Sequence, residues 1–252
     1  MRFLIKFSYD GTNYSGFQKQ KGKPSIEEEM EKALTTVNNH KKTTITATGR
    51  TDKGVHALAQ YGHADINVNI TEKKLKRALN TFLPDDIHVI ETKQVSDNFH
   101  ARYNVVEKTY EYKINLGEYN PLERNHIFQY NYSLDIKKME EAIKIFEGTH
   151  DFRAFVTENK EKNNCIRNIT CGRIKSNGEE IVFTFTGDGF LRYQVRNMVG
   201  LLIRVGEGKK TKTDVQKILD SKDRSKSGKT APPEGLYLVD VKFKEGEYTC
   251  QS

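Results

Sequence analysis

One order of elements occurs twice along this 252-residue chain, and it limits the fold more than composition does. Phe3, Ile5, Phe7 and Tyr9 alternate as a half-buried strand requires. Ser25 with Glu28 three residues on makes a capping box, and Ile26, Met30, Ala33, Leu34 and Val37 follow at helical spacing. Residues 43–48 and 57–68 read as two strands. Thr71 opens a second helix with Leu75, Ala78, Leu79 and Phe82 on one face, and Pro84 ends it. Residues 87–95 are a further strand.

From residue 108 the order returns. Residues 108–116 read as a strand, with an extra strand near 126–132. Asp135 caps a helix carrying Met139, Ala142, Ile143 and Phe146, which Gly148 stops. Residues 165–175 and 180–186 form a hairpin about Asn177-Gly178. Residues 190–205 read as one long helix, 213–219 as a shorter one, and 236–243 as the closing strand. Strand-helix-strand-strand-helix-strand is the ferredoxin-like order. Two copies predict an α+β chain of two related halves, 1–103 and 104–252, with a cleft between their sheets as the natural site. The RNA-recognition motif shares this order, but its aromatic signature is absent from the sequence.

Charge narrows the partners. The net charge is +7 and the pI about 9.1, which favours an acidic partner such as nucleic acid. Residues 204–229 alone hold nine Lys or Arg against four Asp or Glu; a solvated lysine-rich face is the plain reading. Three cysteines, Cys165, Cys171 and Cys250, show no C-x-x-C spacing, and the seven histidines no ligand spacing. Neither a disulfide framework nor a metal is expected, and a reducing cytoplasm fits. The chain opens on an alternating run rather than a signal sequence, and no apolar stretch approaches the ~18 residues of a membrane span.

Three stretches carry candidate chemistry. The first is GRTDKG, residues 49–54, between two predicted strands. Asp and Gly make turns, so a plain loop is one reading. A phosphate loop is excluded, because Val55 and His56 stand where Lys and Ser or Thr are required. What remains is a carboxylate, Asp52, with Arg50 two residues before it. The second is FLRYQVRNMVG, residues 190–200, where Arg192 and Arg196 interrupt the edge of an apolar helical stripe. Either they snorkel to water or a buried guanidinium needs an anion, for which Asp52 is a candidate. The third is KTYEYKI, residues 108–114, with Tyr110 and Tyr112 on one strand face. They are core residues or a ring on which an extruded base stacks.

Together with SYDGTNYSGFQKQ, FHARYNVVEKTYEYKI, GTHDFRAF and APPEGLYLVDVKF, these blocks resemble the tRNA pseudouridine synthase A family from residue 3 to about 243. The resemblance implies two ferredoxin-like halves with joined, mainly antiparallel sheets, a basic cleft between them and a homodimer binding one tRNA. It implies isomerisation of uridines at tRNA positions 38, 39 and 40, on the 3′ side of the anticodon arm. Carried over by motif, Asp52 matches the essential catalytic aspartate. Arg50 matches the arginine that holds the flipped nucleotide, Tyr110 the tyrosine that packs on the base, and Arg196 the partner of the carboxylate. Phe17 stands where the family often has Trp or Tyr, and Gln194 replaces a usual Met; both read as packing changes.

The implied reaction breaks N1–C1′, turns the base over and joins C5 to C1′. It is redox-neutral, so no cofactor is expected. Asp52 could attack the sugar as a nucleophile or remove a C2′ proton as a base. A non-catalytic RNA-binding protein or chaperone of the same fold is the alternative; a weaker one is the same chemistry on another RNA.

Overall fold

The computed structural model describes residues 1–156 and 164–244. Cys250 lies outside them. By compactness the described residues fall into two units, 1–106 with 238–244, and 107–237. The closing strand, expected with the second half, groups from Leu238 onward with the first.

The first unit runs β1 (Arg2–Tyr9), α1 (Ile26–Val37), β2 (Thr46–Ala47), β3 (His56–Asp65), α2 (Glu72–Phe82) and β4 (Ile87–Val95). β1 lies antiparallel between β3 and β4, giving the order β4-β1-β3, and the short β2 pairs with β3 off that row. Alternation along β1 sends Phe3, Ile5 and Phe7 inward, where they are 0% exposed, as are Met30, Leu34, Leu75 and Leu79 of the helices. Ser25 caps α1, its Oγ accepting from Glu28 N at 3.3 Å. The Glu28 carboxylate reaches Lys32 (3.6 Å). The expected 43–48 strand shrinks to two residues for a local reason. Thr43 N donates to Thr35 Oγ1, and Thr43 Oγ1 donates to Lys41 O and accepts from Asn38 Nδ2. Side chains thus take up polar groups a ladder could have used.

The second unit holds β5 (Val105–Asn115), β6 (Phe128–Gln129), α3 (Ile136–Ile143), β7 (Gly148–Asp151), β8 (Ile166–Asn177), β9 (Glu180–Gly187), α4 (Gln194–Gly206) and α5 (Lys212–Ser221). Its strands lie in the order β5-β9-β8-β7, all antiparallel neighbours, with β6 parallel on β5. β10 (Leu236–Phe243) ends the described fold. Tyr112, Ile143, Phe146, Phe183, Phe185 and Met198 are each 0% exposed and form the core.

The long helix starts four residues later than expected. Tyr193, its N-cap, has φ +64°, a left-handed conformation that breaks the helical path. Leu191 and Arg192 therefore lie before α4 and not on its face. Gln194 is not merely a packing change: its Oε1 accepts from Leu191 N at 2.9 Å, tying the preceding turn to the first helical residue. Among the described residues no helix is long and apolar enough to cross a membrane.

Candidate active site

Each unit carries two of the four named residues: Arg50 and Asp52 in the first, Tyr110 and Arg196 in the second. The Asp52 loop enters β3 under restraint from three sides. Gln60, 0% exposed on β3, accepts at Oε1 from Thr48 Oγ1 (2.7 Å) and donates from Nε2 to Gly49 O (3.1 Å). Thr51 is buried, and its Oγ1 shares a 2.8 Å hydrogen bond with Tyr9 OH. The register that sets Tyr9 opposite Ala57 brings that hydroxyl to the loop. Burial pushes the Tyr9 phenol up to about 12, so it stays neutral.

Residues 10–17 brace the other side. Phe17 N donates to Thr51 O (3.1 Å), and Gly11 N donates to His56 Nδ1 (3.1 Å), a buried imidazole four residues past Asp52. Gly16, at φ +109°, is essential to this approach: a Cβ there would stand 2.9 Å from Thr51 O and 3.3 Å from the Asp52 carbonyl carbon. Phe17, 2% exposed, packs against Phe7 and Tyr9 with ring centroids 6.4 Å apart in each case. The departure at that position is indeed one of packing. Asp52 is thus half-buried on a loop whose neighbours are locked, while Arg50 is exposed. A rigid loop presenting a carboxylate suits chemistry better than a plain turn requires.

In the second unit Tyr110 is 8% exposed, opposite Phe185 and edge-on to Phe190 at 5.2 Å between centroids. Tyr112 is core, its OH donating to Pro232 O at 2.7 Å. Arg196, on the first turn of α4, is half-buried. Its Nε donates to Ala231 O (2.8 Å), and its guanidinium carbon lies 5.3 Å from the Tyr193 ring centroid. Arg192 takes the solvent-facing role foreseen for an arginine here. It is exposed, 4.9 Å from that same centroid. Glu234, half-buried nearby, has its carboxyl pushed up by burial, with Arg196 opposing. Sequence reasoning did not single out Tyr9, Thr51, Gly16 or Ala231. All four lie in quoted blocks, Tyr9 and Gly16 in SYDGTNYSGFQKQ, Thr51 in GRTDKG and Ala231 at the head of APPEGLYLVDVKF, and those blocks were the available signal.

The braced Asp loop of the first unit and the arginine-bearing helix of the second are α+β elements that carry the sequence blocks of the family resemblance. A family model described as tRNA pseudouridine synthase matches residues 5–104 and 142–244, and the chain belongs to that family. The match includes Arg50, Asp52 and Arg196; Tyr110 lies in the interval between its two parts. A Streptococcus sanguinis protein named tRNA pseudouridine synthase A is 43% identical over 97% of this chain and 99% of that protein. Proteins of the same name from Streptococcus gordonii and Streptococcus pneumoniae are each 42% identical over the same shares.

Proposed function

We propose that this chain isomerises uridine to pseudouridine in the anticodon arm of tRNA, at positions 38, 39 and 40. The observation that carries the reading is the Asp52 loop, held by Tyr9, Gln60 and Gly16 so that one carboxylate is presented on a fixed backbone. The target base must leave its stack, at a cost of a few kcal/mol. Arg50 holds the extruded nucleotide and Tyr110 packs on the base. Asp52 acts on the sugar as N1–C1′ breaks, and Arg196 keeps that carboxylate ionised. The chemistry is redox-neutral and uses no cofactor. The enzyme works as a homodimer in the cytoplasm. A non-catalytic RNA-binding role is not favoured, because all four residues are present and the relatives carry the name of an enzyme.

The test is to incubate the protein with unmodified tRNA transcripts and map pseudouridine by carbodiimide adducts and primer extension. Stops confined to the 3′ side of the anticodon arm support the reading. Pseudouridine elsewhere, or in another RNA only, overturns the substrate assignment.

A further inference from the structure

The second unit contains a cation that the proposed chemistry leaves unused. Arg224 lies within the lysine-rich stretch read as a solvated face, yet it turns inward. Its Nη1 donates to Ser227 Oγ and Gly228 O, both at 2.8 Å, and its Nη2 donates to Asn197 Oδ1 and Thr230 Oγ1, both at 2.9 Å. All four acceptors are neutral. Its Nε is buried without an acceptor among the described residues, and burial lowers the guanidinium pKa from its ordinary value. A lysine could not form this planar fork.

The fork fastens a strap to α4. Asn197, 1% exposed, accepts from both Arg224 and Thr230 Oγ1 (2.7 Å) and donates to Phe155 O (2.6 Å). Gly200 lets the strap lie against the helix, since a Cβ there would stand 2.1 Å from Lys229 O. The next residue but one, Ala231, donates from its N to Arg196 O (3.0 Å) and accepts from Arg196 Nε (2.8 Å). The Nε bond sets the plane of the Arg196 guanidinium, so the position of Ala231 sets where that side chain points.

We infer that Arg224 is a positioning residue for Arg196, acting through the strap of residues 228–231 and not on the RNA. The inference rests on the reading that Arg196 serves the reaction. Arg224→Ala, Arg224→Lys, Arg196→Ala and the Arg196→Ala/Arg224→Ala double variant are compared by single-turnover tritium release, tRNA Kd and thermal melting. The expected results are a chemical step slowed about ten- to a hundredfold in Arg224→Ala, an unchanged tRNA Kd and a similar slowing in Arg224→Lys. Added guanidinium, below denaturing concentrations, restores part of the rate of Arg224→Ala. The double variant is no slower than Arg196→Ala alone. Should Arg224→Ala not fold, Thr230→Val removes one acceptor of the fork and is expected to show a smaller slowing with the same Kd. A full rate in every folded Arg224 and Thr230 variant, with Arg196→Ala slow, overturns the positioning role alone. A full rate in Arg196→Ala overturns the reading beneath it as well.

Discussion

Replacing Gly16 by alanine tests whether the loop bearing Asp52 is held by its neighbour or merely lies beside it. The new Cβ would stand 2.9 Å from Thr51 O and 3.2 Å from Lys53 N. Comfortable carbon contacts begin at about 3.5 Å, so the loop must recede by roughly 0.5 Å or more. A displacement of about 1 Å costs on the order of a hundredfold in rate, so half of that costs about tenfold, or ~1.4 kcal/mol of barrier. Stability falls too. An L side chain at φ +109° carries about 1–2 kcal/mol of backbone strain. The stiffer unfolded chain offsets about 0.4–1 kcal/mol, and the collision adds to the strain. A net loss of about 1–2 kcal/mol lowers Tm by about 2–8 °C at this chain length. Gly22→Ala is the control, with φ +70° and nothing within 4 Å of its Cβ. It carries the strain without the collision, so its Tm falls while its rate holds. Single-turnover tritium release and calorimetry read both quantities. Full rate in Gly16→Ala, or equal slowing in Gly22→Ala, refutes the brace.

Three further outcomes follow from the same geometry. Tyr9→Phe leaves the buried Thr51 hydroxyl without its phenol partner and costs about 1–3 kcal/mol in urea unfolding; an unchanged midpoint contradicts the bond's role. Burial first, then Arg2 and His100, pulls His63 down to about 4, with Asp65 opposing. Its neutral Nδ1 accepts from Ala101 N at 3.1 Å. The unfolded chain therefore binds more protons than the folded one between pH about 4 and 6.5, and stability falls as pH falls through that window. His63→Gln flattens this slope, measured by urea unfolding across the window; an identical slope contradicts the assignment. Lys212, Lys217 and Lys229 are exposed, and reversing them to Glu weakens tRNA binding and lowers its salt slope by about 1 for each phosphate they had neutralised. Affinity unchanged across salt excludes that stretch from the RNA footprint.

Legibility in the sequence tracked how local each signal was. Residues 87–95 and 236–243 are short apolar-rich runs entered from Pro-Asp-Asp and Pro-Glu-Gly turns, and they form strands with those bounds. Ser25 and Asp135 accept from the backbone N–H three residues on, as N-caps do, while the Glu28 carboxylate of the expected capping box turns to Lys32. The start of α4 was misplaced because Leu191 continues the apolar stripe, and the left-handed turn at Tyr193 leaves no mark in hydrophobic periodicity. β7 escaped notice because Gly148 to Asp151 carries little apolar character; pairing with β8 makes it a strand. The functional blocks were legible as residue types, since GRTD needs no partner to be recognised. Their supports were not, because Tyr9, Gly16 and Arg224 act through residues 42, 35 and 27 positions away (Thr51 in the first two cases and Asn197 in the last). Such pairings become visible only once the sheet register and the strap are drawn.

The most direct measurement is tritium release from tRNA transcripts labelled at C5 of uridine, by the parent protein and by Asp52→Ala, with tRNA binding measured alongside. Forming pseudouridine expels the C5 hydrogen, so the account predicts release by the parent and none by Asp52→Ala at unchanged tRNA affinity. Release by Asp52→Ala at the parent's rate, or by neither protein while both bind tRNA, contradicts it.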